Sequence, residues 1–126
     1  MIVLDASVLI GHLDGNDRHH ARARDLLEAS GGSPLGASPI SLAETLVAPA
    51  RTGRLGTARA ALERIGISEL ALAADSATRL AELRANTGCK LPDCCVLLAA
   101  QEHQGRVASF DADLIEAARS LGLGLD

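Results

Sequence analysis

The sequence predicts an α/β fold, a parallel sheet covered by helices on both faces, and three observations carry that prediction. Short apolar runs such as Ile2-Val3-Leu4 and Arg106-Val107-Ala108-Ser109 alternate with longer segments of helical period. The stretches joining successive runs are long enough for the crossovers that parallel strands require. The run Cys94-Cys95-Val96-Leu97-Leu98-Ala99-Ala100 is apolar all round, as a helix buried against a covered sheet should be.

Taken in order, Ile2-Val3-Leu4 is the first strand and residues 7–13 the first helix, ended by Gly15-Asn16. Asp17 is the expected N-cap of a helix to Ala29 that turns Leu26 and Leu27 inward. A Gly-Gly-Ser-Pro loop at 31–34 leads to a short second strand at 35–38. Pro39-Ile40-Ser41 opens the next helix, with Ser41 and Glu44 at capping-box spacing, and Pro49 is expected to kink or end it. Residues 55–65 place Ala58, Ala61, Leu62 and Ile65 on one helical face, and Gly66 stops that helix. A strand at 67–72 follows, then a helix capped by Asp75 or Ser76 that runs to Asn86 and closes at Gly88. Pro92 sits in the first turn of the buried helix. After the strand at 106–109 come a helix at 113–121 and a final short strand at 122–125.

A length of 126 residues, without repeats or linkers, predicts a single domain over 1–126. A hydrophobic content of 48% excludes a disordered chain. Aromatics are 1%, a single Phe without Trp or Tyr, so the core is Leu, Ile, Val and Ala. Base-stacking platforms are correspondingly scarce, and any nucleic acid would be held mainly through phosphates and metals. The net charge of −4 argues against a basic nucleic-acid coat. Three cysteines without framework spacing point to a reducing compartment and to buried small hydrophobes. The apolar opening at 2–10 is too short to span a bilayer, and no basic segment precedes it, so the chain reads as cytoplasmic, with no membrane partner.

The chemistry-bearing residues are acids. Asp5 follows an apolar triplet, Glu44 lies in Ser41-Leu42-Ala43-Glu44, Asp93 in Leu91-Pro92-Asp93, and Asp111 in Ser109-Phe110-Asp111. Asp5 and Asp111 stand just past predicted strands, where sites of parallel sheets gather. Carboxylates brought together repel one another unless hard cations sit among them, an arrangement suited to metal-assisted phosphodiester cleavage. Each acid has a plain structural alternative: Glu44 as capping-box partner, Asp93 as helix-dipole acid, Asp111 as N-cap. Asp5 has the poorest such alternative, because an acid directly after a buried triplet seldom serves stability alone. His12, His19, His20 and His103 lack the companion ligands of a zinc site.

Laid out together, these motifs resemble the PIN-domain family, and their order and the chain length look like the small toxin ribonucleases of VapBC systems. The resemblance spans essentially the whole chain. It implies a three-layer α/β/α sandwich with a parallel sheet of about five strands and an endoribonuclease site dependent on Mg²⁺ or Mn²⁺. It carries the family's four acidic positions onto Asp5, Glu44, Asp93 and Asp111, which would act as catalytic metal ligands. Ser7 and Ser109 match its hydroxyl positions, and Asp113 a less regular acidic one. Cys94-Cys95 stand where small or aliphatic residues are usual. Arg51, Arg54 and Lys90 are the bases nearest the acids in sequence and are weaker substrate-binding positions. The implied partners are an RNA substrate, a small antitoxin protein and a second copy in a homodimer. Apolar positions at Leu9, Leu13, Leu46 and Leu62 are compatible with either an antitoxin surface or core burial.

Rival readings fare less well. A receiver-like phosphoacceptor wants paired acids before its Asp and a Lys after a strand; here Asp5 is single and Lys90 follows no strand. A phosphohydrolase with an Asp-x-Asp nucleophile is disfavoured by Ser7. A free-standing RNA-processing nuclease, or a PIN domain that binds without cutting, remains a question of activity.

Overall fold

The computed structural model describes residues 1–125. Four three-residue strands, β1 (Ile2–Leu4), β2 (Leu35–Ala37), β3 (Ile67–Glu69) and β4 (Arg106–Ala108), form one sheet in the order β3-β2-β1-β4. Every pairing is parallel, with Ile2 opposite Leu35 on one side and Arg106 on the other. Seven helices among the described residues make the connections: α1 (Ala6–Leu13), α2 (His20–Ala29), α3 (Pro39–Arg51), α4 (Leu55–Arg64), α5 (Ser76–Thr87), α6 (Leu91–Glu102) and α7 (Ala112–Ser120).

Alternation along β1 sorts the core into two layers. Val3 packs with Leu83 of α5, Val96 and Leu97 of α6 and Leu114 of α7. Ile2 and Leu4 face the other way, onto Val8 and Leu9 of α1, Leu42 of α3 and Leu62 of α4. A period of two along a strand covered on both sides requires this division. The three-layer α/β/α arrangement follows. In α6 every residue from Cys94 to Ala100 is buried, so its uniformly apolar surface is core.

The expected fifth strand shrinks to one parallel bridge, Val107 with Gly124, because only the tail beside β4 is extended there. The strand expected over 67–72 stops at Glu69: beyond it Leu70 gives its N–H to Ala37 O, and the chain turns toward α5. The N-cap of α3 is Ser38, whose Oγ accepts from Ser41 N at 3.1 Å, so Ser41 and Glu44 form no capping box. Pro49 lies inside α3 near its end without breaking it; at that depth the missing N–H and the ring disturb only the final turns. Asp17 caps a turn before α2, accepting from His19 N at 2.8 Å, and the helix starts three residues later. Leu9 and Leu62 are buried in the core and present no surface to a partner.

Strand order reverses direction at β1, which has β2 on one side and β4 on the other. The crevice past the carboxyl ends of β1 and β4 is therefore the topological switch point, where open parallel sheets place their sites. Among the described residues no helix is long and apolar enough to cross a membrane.

Candidate active site

Asp5 and Asp111 occupy equivalent places, one residue or a short turn past the adjacent strands β1 and β4. Asp5 is the N-cap of α1 and Asp111 the N-cap of α7. Asp93 lies in the first turn of α6, a helix whose far end feeds β4, so its start returns to the same edge of the sheet. Glu44 lies in the second turn of α3, which begins directly after β2.

Asp5 is 5% exposed. Its Oδ1 accepts from Ser7 Oγ at 2.6 Å and from Val8 N at 3.2 Å, and its Oδ2 accepts from Ser109 Oγ at 2.5 Å. Both hydroxyls are themselves held from the turn after β4. Phe110 N donates to Ser7 Oγ at 3.0 Å and Asp111 N to Ser109 Oγ at 2.9 Å. Two relays of backbone N–H, hydroxyl and carboxylate thus lock Asp5 to the Ser109–Asp111 turn. Oδ2 retains an open lone pair, since it takes one hydrogen bond. Asp111 Oδ1 accepts from Asp113 N at 2.9 Å and Leu114 N at 3.3 Å, and its other oxygen has no hydrogen bond among the described residues.

Burial pushes the Asp5 carboxyl above its ordinary range, against the lowering effect of its hydrogen bonds from Ser109, Ser7 and Val8, and Asp111 adds to the rise. Asp93 is also pushed up, first by burial and then by Asp111, with smaller contributions from Asp5 and Glu44 and an opposing one from Lys90. None of the four acids joins a salt bridge among the described residues; the two found there link Arg79 to Asp75 and to Glu102 at the opposite end of α6.

Asp93, Asp111, Asp113, Glu116 and Lys90 share a cavity of about 550 Å³. Glu44 is exposed and lines a different cavity of about 580 Å³ with Asn16, Thr45, Thr52 and Arg54. Lys90 and Arg54 thus reach the two cavities beside the acids. Arg51 lines neither; it is exposed in the last turn of α3, about 10 Å along the axis from Glu44. His12 and His20 sit where α1 meets α2, and burial and its neighbour His20 lower the His12 pKa.

Glu116 went unnoticed in the sequence, although its i,i+3 spacing from Asp113 puts both on one face of α7. Also unremarked was the cluster of Phe110 with His19 and Arg22, whose rings and guanidinium meet across the molecule at 4.8 and 4.5 Å. No local pattern signals a contact between residues so far apart in sequence.

Among the described residues no three His, Cys, Asp or Glu side chains close into a compact ligand set. The donors nevertheless fit a hard divalent cation: they are carboxylate oxygens, Asp5 and Asp111 each keep capacity for ligation, and among the described residues no arginine or lysine salt bridge neutralises them. Mg²⁺ takes one or two carboxylates and keeps several waters, so a dense cage is unnecessary.

A parallel sheet carrying acids at its switch point defines a class, and the sequence match agrees with it. The family model described as PIN domain matches residues 2–120, and the chain belongs to that family. Its fold is similar to Mycobacterium tuberculosis VapC20, a sarcin-ricin loop cleaving toxin, with a TM-score of 0.75 at 20% identity over 93% of this chain and 95% of that one. A toxin–antitoxin complex from Klebsiella pneumoniae gives 0.75 at 25% identity, covering 88% and 87%. VapBC2 from Rickettsia felis, bound to a DNA fragment from its promoter, gives 0.72 at 16% identity, covering 100% and 98%. No curated protein sequence matches significantly.

Proposed function

We propose that the chain is a divalent-metal-dependent endoribonuclease of the toxin type, paired with a small antitoxin protein. The observation that supports this reading is geometric: Ser109 ties Asp5 to the turn carrying Asp111, and Asp111 shares a cavity with Asp93. Acids gathered at a switch point without salt bridges repel one another unless they serve a cation. The similar solved structures support the substrate and partner: one is a sarcin-ricin loop cleaving toxin, one a toxin–antitoxin complex and one VapBC2 on promoter DNA.

In this reading Asp5 and Asp93 would be the central ligands of Mg²⁺ or Mn²⁺, Asp111 would complete the set, and Glu44 would ligate directly or through water. A divalent ion held by these carboxylates would supply Lewis acidity, lowering the pKa of a bound water and offsetting phosphate charge. The chain's own part is positional. Ser7 and Ser109 fix the plane of the Asp5 carboxylate from both sides, so the ligand is oriented before the ion arrives. Val8 N, at the start of α1, adds a third donor that favours the ionised form. Lys90 flanks Asp93 and offers a positive charge to an RNA phosphate in the same cavity.

Incubation of purified protein with single-stranded RNA, in Mg²⁺ or Mn²⁺ and in EDTA, tests the proposal. Internal cleavage leaving 5′-phosphate and 3′-hydroxyl ends is expected only with metal, and Asp5→Asn should abolish it in a folded protein. Undiminished cleavage by that variant contradicts the assignment.

A further inference from the structure

The chain's single aromatic ring stands one residue from Asp111, in the turn that the two hydroxyl relays lock to Asp5. Phe110 is half-buried, and two groups from the start of α2 close on it. The Arg22 guanidinium lies 4.5 Å from the ring centroid, and the His19 ring lies 4.8 Å away, tilted by 33°. Arg18 extends the cluster by donating from Nε to His19 Nε2 at 3.2 Å. A cation over an aromatic face is held by the ring quadrupole, and the planar guanidinium keeps its edge donors free. Arg22 makes no hydrogen bond or salt bridge among the described residues, and Arg18 forms no salt bridge there. Both are exposed. Two positive charges thus stand beside the residue that precedes Asp111, and neither forms a salt bridge among the described residues.

We infer that Arg22, pinned on Phe110 and assisted by Arg18, forms a phosphate subsite for the RNA strand beside the scissile position. The inference rests on the nuclease reading for its substrate, and deepens it by naming how the strand is gripped. An acidic centre repels a polyanion, so binding needs fixed positive charge close by but outside the ligand set. The arginines on α2 meet that need on the Phe110 side, as Lys90 does within the cavity of Asp93. Phe110 acts here as an anchor for the cation rather than as a base-stacking platform, because Arg22 already covers it.

The test is fluorescence anisotropy of the full chain with a labelled single-stranded RNA in EDTA, which removes metal-dependent cleavage from the measurement. Arg22→Ala should weaken binding by about five- to twenty-fold and shrink the salt dependence of log K by roughly 0.7, the loss of one phosphate contact on a single strand. Arg18→Ala should do the same to a smaller extent. Arg64→Ala, an exposed arginine at the end of α4 far from the switch point, should change neither. With metal, Arg22→Ala should raise KM at nearly constant kcat. RNA affinity and salt slope equal to those of Arg64→Ala would overturn the subsite. Loss of affinity in Arg22→Ala with no metal-dependent cleavage by the unaltered chain would instead keep the subsite and remove the nuclease reading.

Discussion

Ser109, 104 positions from Asp5 in sequence, joins it to Asp111: its hydroxyl donates to Asp5 Oδ2 at 2.5 Å and accepts from Asp111 N at 2.9 Å. One side chain thereby sets the orientation of one acid and the backbone position of another. Ser7 performs the parallel task, donating to Asp5 Oδ1 and accepting from Phe110 N. The turn after β4 and the acid after β1 are therefore one mechanical unit.

Ser109→Ala should lower metal-dependent RNA cleavage by about 10- to 100-fold, the usual consequence of removing a group that orients a metal ligand. Metal affinity measured by calorimetry should fall with it, while the circular dichroism spectrum stays native. Wild-type metal affinity in this variant would show that the relay has no bearing on the ion.

Asp93→Asn should raise the melting temperature of the metal-free protein, because burial first, and then the like charges of Asp111, Asp5 and Glu44, disfavour the ionised Asp93. Mg²⁺ should raise the melting temperature of the unaltered chain and leave that of Asp93→Asn unchanged. Thermal scans in EDTA and in Mg²⁺ decide it; a lower melting point in EDTA would mean that Asp93 serves the fold rather than strains it.

The pH dependence of the metal-free protein follows from Asp5 and Asp93, both pushed above their ordinary range mainly by burial. A raised folded pKa contributes stability that is complete below the unfolded pKa and lost as pH rises through the folded one. In EDTA the melting temperature should therefore climb as pH drops from neutral into mild acid. Saturating Mg²⁺ should flatten that slope, since the ion replaces the proton as the neutralising charge. A melting temperature that falls steadily with acidification in EDTA would contradict this origin.

Gly36→Ala should destabilise the fold by about 1–3 kcal/mol through overpacking. A Cβ on Gly36, in the inner strand β2, would stand 2.7 Å from Leu70 Cδ1 and 2.9 Å from Leu70 Cγ, and Leu70 is buried. Chemical denaturation measures the loss. Stability equal to the parent chain would mean that Leu70 repacks freely.

Burial raises the thiol pKa of Cys94 and of Cys95, with Glu44 contributing at Cys95. Cys89, Cys94 and Cys95 are all buried and free. A thiol-specific disulfide reagent should leave the native protein unmodified and react with all three once the chain is unfolded in guanidinium. Fast native reaction at Cys94 or Cys95 would show that α6 opens readily.

Much of this was legible in the sequence because the relevant signals are local. Ile2-Val3-Leu4, the all-apolar α6 and the Gly88 C-cap at φ +74° each declare themselves within a few residues. The acids were legible through their positions at strand ends and helix starts. Less visible were features set by tertiary pairing. The tail at 122–125 looks like a strand, yet beside β4 it forms a single parallel bridge, with Val107 N donating to Leu123 O. Ser41 and Glu44 satisfy the capping-box pattern, but Ser38 takes the cap because β2 delivers the chain there. Arg22 meets Phe110 only because α2 folds back beside the β4 turn.

Diffraction from crystals soaked in Mn²⁺, recorded for anomalous signal, tests the central claim most directly. The account predicts a peak among the carboxylates of Asp5, Asp93 and Asp111 that disappears in Asp5→Asn. A strong peak elsewhere, or none at these acids under conditions that support RNA cleavage, would contradict it.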